Sequence, residues 1–224
     1  MERSDQRLIR VTGRGDLRLQ PDTTRLTITL RGRSMDYAET LSQSAKDTEA
    51  LRDVIAALGF ARDSLKTLSF DVDTRYEYDN SQRGHNPRQI FMGYEYTHLL
   101  KLEFPSDKAL LGRTLYALGA SSVQPELRLS YTVRDQEGAK NRLLAGAVAD
   151  AAAKARTLAE AAGVALGELI SIDYSRTRID FEVQPLRKSV ALAEGDLAAP
   201  SFDLDIEPDD IEVSDTVTLV WAIA

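Results

Sequence analysis

The chain has 224 residues, enough for one large domain or two small ones, and its 43% apolar and 28% charged residues are the balance of a soluble globular protein. A net charge of −7 argues against nucleic acid as a partner, because phosphate binding wants a basic surface. Cysteine is absent and only two histidines occur, which excludes disulfides, thiolate chemistry and a multi-histidine metal site within one subunit.

The polar start MERSDQRLIR has no apolar signal-peptide core, and no window approaches the roughly 20 apolar residues of a membrane span. As given, the chain therefore reads as cytoplasmic, or as an envelope or secreted protein if it is a trimmed mature form. Leu8 to Thr12 reads as a short strand, with Gly13-Arg14-Gly15 as a turn or bulge that lacks the third glycine of a dinucleotide loop. After Pro21-Asp22 a strand turns Leu26, Ile28 and Leu30 inward. Ser34 is placed to cap a helix whose buried stripe is Leu41, Thr48, Leu51, Ile55 and Leu58, and Gly59 ends it.

Lys66 to Tyr78 alternates cleanly, with Leu68, Phe70, Val72, Thr74, Tyr76 and Tyr78 on one face. The loop 79–89 is polar, and Ile90 to Phe104 returns with Met92, Tyr94, Tyr96, His98, Leu100, Leu102 and Phe104 on one face. The two strands form a long antiparallel hairpin. A shorter helix capped by Ser106 follows and closes at Gly119, and Leu127 to Val133 is again a strand. The alanine-rich run 136–162 is the organising helix, capped by Asp135 and stopped by Gly163. Its sheet-facing stripe is expected to be Leu144, Val148, Ala151, Ala155, Leu158, Ala159 and Ala162, so Leu158→Ala should carry the cost of a core truncation. Leu169 to Tyr174, then Ile179 to Val183 with a change of face after Ser175, are extended. Residues 189–201 form a connecting loop, and Ile211 to Ile223 closes the chain at strand period.

Strand, helix, strand, strand thus recurs at about 21–104 and 126–223. The fold class is α+β: mainly antiparallel sheets with helices packed on one face, in two β-α-β-β-like units. The corresponding parts are 1–104, with the long hairpin, and 105–224, with the long helix. Eight arginines oppose four acids over residues 1–33, while 189–224 holds nine acids and no Lys or Arg. Such charge belongs either to two solvated faces or to terminal strands that lie near each other or near a neighbouring subunit's.

Among chemistry-bearing patterns, GxSxG, HExxH, GxxxxGK[ST] and CxxC are missing, so no catalytic residue, metal site or cofactor is assigned. The acidic run 203–214 puts Asp203, Asp205 and Glu207 at calcium-loop spacing. Pro208 stands for the turn glycine, however, and Ser214 for the bidentate glutamate, so a charged edge strand is the better reading. Tyr76, Tyr78, Tyr94, Tyr96 and His98 form the one constellation that stands out. On paired strands they would share a face, either as core or subunit interface or as a groove for a small molecule or peptide. His85, in the polar loop, is expected to be exposed.

The stretches IRVTGRG, PDTTRLTITLRGRS, DVDTRYEY, GYEYTHLLKLEF, DAAAKARTLAEAAG and IEPDDIEVSDTVTLVWAI, in that order over about residues 7–223, together resemble the SIMPL-domain family. The resemblance implies an α+β fold and a small bacterial envelope or secreted protein of unknown biochemical activity. Some members are associated with oxidative-stress tolerance, and some form large ring-like homo-oligomers. No catalytic residue of the family is established, so none is carried over. The implied reading is a non-enzymatic homo-oligomeric structural or stress-associated protein whose partner is itself, and the alternative is a binding module using the tyrosine-lined hairpin.

Overall fold

Why Gly13 and Gly15 are glycines becomes plain in the computed structural model, which describes residues 7–79, 88–174, 179–185 and 206–224 (for 78, 79 and 88 the backbone alone). They lie inside a twelve-residue strand, β1 (Leu8–Leu19), and not in the turn expected from the sequence. Along it pass the carbonyls of a long helix. A Cβ on Gly13 would stand 2.0 Å from the Ala147 carbonyl oxygen, and one on Gly15 2.1 Å from that of Leu143. Only glycine lets helix and strand backbones approach so closely.

The described elements continue as β2 (Thr23–Ser34), α1 (Tyr37–Ala57), β3 (Lys66–Asp79), β4 (Arg88–Pro105), α2 (Lys108–Gly119) and β5 (Glu126–Thr132). After them come α3 (Gln136–Ala162), β6 (Leu166–Asp173), the two-residue β7 (Glu182–Val183) and β8 (Ile211–Ile223). The sheets are antiparallel and the class is α+β. The expected loop at 189–201 lies outside the described residues, as do His85, Asp203 and Asp205.

Two compact units result, and they do not follow a cut at 104/105. One contains 1–21, 132–183 and 209–224; the other contains 22–131 and 184–208. In the first, the sheet order is β1-β8-β6, with α3 lying over β1 and β8. In the second, the strands run β3-β4-β2-β5, with α1 over β2 and β4. Strand, helix, strand, strand therefore occurs twice, as β2-α1-β3-β4 and as β1-α3-β6-β8. The second copy takes its opening strand from the N-terminus and not from β5. The physical reason is the glycine pair of β1, which receives α3; β5 carries Leu127, Leu129 and Tyr131 instead.

β1 and β8 pair along their whole length, from Leu8 opposite Ala222 to Leu19 opposite Ile211. The basic start and acidic end are thus neighbours, and Arg18 Nε lies 2.6 Å from an Asp210 oxygen and 3.9 Å from one of Glu212. The buried stripe of α3 is Ala139, Leu143, Ala147, Ala151, Ala155 and Ala159, one residue every four. This corrects the expected face. Ala151, Ala155 and Ala159 belong to it, but Leu144 is half-buried, Val148 and Ala162 are exposed, and Leu158 is 51% exposed. The smallest side chains are chosen because β1 is so near. The caps are as expected: the Asp135 carboxylate accepts from the Gly138 N–H at 2.8 Å, and Gly163 is left-handed with φ 69°.

In the second unit Leu26, Ile28 and Leu30 are buried, as are Leu102 and Leu100 opposite the first two, His98 opposite Leu30, and Phe104 opposite Thr24. The α1 cap is Asp36 rather than Ser34, accepting from the Glu39 N–H, and the α2 cap is Asp107 rather than Ser106. The α1 stripe is Thr40, Ser44, Thr48, Leu51 and Ile55; the expected Leu41 is exposed, and Leu58 is half-buried at the helix end.

Candidate functional site

The β3–β4 hairpin carries the residues singled out from the sequence. It pairs from Lys66 opposite Lys101 to Asp79 opposite Arg88, with irregularities between Thr67 and Ser69 and between Arg75 and Tyr76. The first irregularity is a bulge at Leu68. It turns Thr67 toward α1 and leaves Leu68 exposed, against the inward position that simple alternation gives it. The second sits at Met92. Beside it, Gly93 has φ 105°, and a Cβ there would meet the Ser34 carbonyl oxygen at 2.4 Å. The extra residue brings Phe91, in place of the expected Met92, opposite Tyr76 and into the inward row.

The structure separates the five expected residues into three groups. Tyr96 and His98 are buried under α1. The Tyr96 hydroxyl donates to the Asp47 carboxylate, and burial first, then that bond, pushes the phenol above its ordinary range. His98 Nδ1 lies 3.1 Å from Thr48 Oγ1, and Nε2 lies 2.9 Å from Thr67 Oγ1. Its pKa is lowered by burial and, secondarily, by the Arg52 guanidinium. Both side chains are committed to internal hydrogen bonds.

Tyr94 and Tyr76 belong to an open row instead. Ring centroids are 5.3 Å apart for Tyr37–Tyr94 and for Phe91–Tyr94, and 5.7 Å for Tyr76–Phe91, all edge-to-face. Tyr37 and Tyr76 are exposed, and Phe91 and Tyr94 are half-buried. Tyr78 forms the third group: its backbone is in β3, and its side chain lies outside the described residues. Sequence reasoning missed Tyr37, Phe91, Asp47 and Thr67. Gly93 in mid-strand was the available signal for the shift from Met92 to Phe91.

The apolar residues of β3 have a second property. Because α1 packs chiefly over β2 and β4, Phe70 (42% exposed) and Tyr76 stand exposed on the outermost strand, with Val72 half-buried between them. Between its irregularities β3 keeps unbroken register with β4 from Ser69 to Arg75, so its outer edge is straight there. The first unit repeats the arrangement. On its outermost strand β6, Leu169, Ile170 and Ile172 are exposed beside α3. Its other edge, β1, is partly closed, because the Arg14 N–H donates to the Asp150 carboxylate of α3 at 2.8 Å.

Among the described residues no three His, Asp or Glu side chains come together as a metal set, and no helix is long and apolar enough to cross a membrane. A family model described as SIMPL, protein of unknown function (DUF541), matches residues 9–221. The chain is also similar to the 26 kDa periplasmic immunogenic protein of Brucella abortus (strain S19). The two are 25% identical over 216 residues, covering 96% of this chain and 84% of that protein.

Proposed function

Because this chain belongs to the SIMPL family, we propose that it is a non-enzymatic, homo-oligomeric structural or stress-associated protein, joined to a second copy along the open β3 edge. One observation carries the reading: a straight strand edge from Ser69 to Arg75 beside exposed Phe70 and Tyr76. Natural edge strands of this kind are usually blunted or covered, because their unpaired N–H and C=O groups template another strand. The exposed apolar row of β6 offers a second such surface on each copy. A non-enzymatic role is supported by the fate of Tyr96 and His98, whose polar atoms are bonded within the fold. The envelope is the compartment favoured by the periplasmic designation of the Brucella protein.

The experiment is static light scattering of the wild type and of a Phe70→Lys, Val72→Lys double variant. The wild type should be larger than one chain, and the double variant should fall toward monomer while keeping its circular dichroism. A wild type that is monomeric at every concentration removes the reading.

The half-exposed row Tyr37–Tyr94–Phe91–Tyr76 supports a second reading, a small-molecule or peptide binding surface. Native mass spectrometry of the same samples separates the two. A bound molecule retained by the monomeric double variant favours the binding module.

A further inference from the structure

We propose that His98 is a pH-sensitive clasp that ties the edge strand β3 to helix α1, and that acid loosens β3. The inference stands whether or not β3 meets a second copy. The geometry begins with hydrogen-bond direction. The Thr48 hydroxyl donates its single proton to the Ser44 carbonyl at 2.8 Å, so its oxygen can only accept from His98. That places the imidazole proton on Nδ1. Nε2 is then the acceptor, and it receives the Thr67 hydroxyl proton at 2.9 Å. The relay runs in one direction, from β3 through His98 to Thr48 and on to the helix backbone. The ring is 9% exposed, and Phe70 of β3 meets its edge at 5.2 Å with planes at 80°.

Thr67 reaches the ring through the bulge at Leu68, which puts a leucine into water to bring a hydroxyl inward. A protonated Nε2 would be a donor facing a donor. Thr67 would have to reverse its hydroxyl so that its oxygen accepts, and the new cation would be largely removed from water.

Among the described residues, the charged groups around it give the cation no dedicated counter-ion. From α1, Arg52 repels it; Asp47 is engaged by the Tyr96 hydroxyl; Glu49 is paired with Arg52 and Arg62. From β3, Asp71 pairs opposite Thr97, one residue out of phase with His98 and hence on the other face of the sheet, and Lys66, next to Thr67 and opposite Lys101, is likewise out of phase with it. From β2 the residue opposite is Leu30, whose neighbour Arg31 points to the other face.

Burial, and then Arg52, hold the His98 pKa below its ordinary value of 6.5. The sign follows. Well above pH 6.5 attached and detached rings are both neutral, and the clasp is intact. Below that, a detached His98 takes up a proton that the clasped ring resists, so attachment of β3 weakens as pH falls toward the folded-state pKa.

The test is hydrogen exchange on the full chain, corrected for intrinsic rates, between about pH 7.5 and about pH 5. The readout is protection of the β3 amides Phe70–Thr74 relative to the β2 amides Leu26–Leu30. In the wild type that ratio should fall with acid. In His98→Gln, whose amide can donate to Thr48 and accept from Thr67 without titrating, it should stay flat. A flat wild-type ratio, or an equal fall in the variant, overturns the proposal. If His98→Gln does not fold, the wild-type imidazole resonances decide, since His85 is the one other histidine. His98 should titrate below the ordinary histidine value of 6.5, and the β3 amide shifts should follow it. A His98 that titrates at or above that value, or β3 amides that ignore His98, overturns it equally.

Discussion

The two units share an element order and differ in how the helix is held. In the first, α3 meets β1 and β8 through alanines, and the Gly13 and Gly15 positions admit no larger side chain. In the second, α1 meets β2 and β4 through Thr40, Ser44 and Thr48 as well as Leu51 and Ile55. Hydroxyls there return to the helix backbone, as Thr40 does to the Asp36 carbonyl at 2.8 Å, and side chains from β4 reach up to meet the helix. One seam is set chiefly by close backbone approach, with the Arg14 N–H bonded to the Asp150 carboxylate beside it; the other adds several side-chain hydrogen bonds. The close seam is intolerant of volume, whereas the bonded seam places an imidazole between strand and helix.

The sharpest way to break this comparison is a single methyl group. Gly13→Ala places a Cβ against the Ala147 carbonyl, and neither backbone can yield cheaply. A loss of about 3 kcal/mol or more is expected by chemical denaturation, confined to the first unit. A cost below about half a kcal/mol would mean that α3 stands further off than described. In the second unit, Tyr96→Phe removes the hydroxyl bond to the half-buried Asp47 and leaves the ring in place. About 1 kcal/mol is expected, because the carboxylate regains water. The smallest effect is that of Leu158→Ala, within about half a kcal/mol, since this leucine is 51% exposed. A value of several kcal/mol would show that it is covered by something, such as a second copy.

The alternation of β2 and of β4 from Tyr94 onward was legible in the sequence because one face of each is buried and the period of two then has a single reading. The caps of α3 were legible too, since Asp135 and Gly163 act through local backbone geometry. Its buried face was not. An alanine-rich helix is apolar most of the way round, so periodicity alone does not select among Leu144, Val148 and Leu158 on the flanks and Ala147 on the seam. The choice is made by the size limit that Gly13 and Gly15 impose, and these lie more than a hundred residues away in sequence. The hairpin was read as two paired strands with their place in the sheet unknown, and β3 is the outermost strand. Two bulges then moved Leu68 and Met92 off the expected row. The candidate site was legible as a set of residue types. Its division into a buried bonded pair and an open aromatic row depends on where α1 stops.

The pairing of β1 with β8 has a consequence for synthesis. β1 finds its neighbour only when the thirteen residues of β8 have been made, whereas β2 through β5 lie in one uninterrupted stretch. The strands β2 to β5 can therefore pair while synthesis continues, and the unit that joins β1 to β8 closes after them.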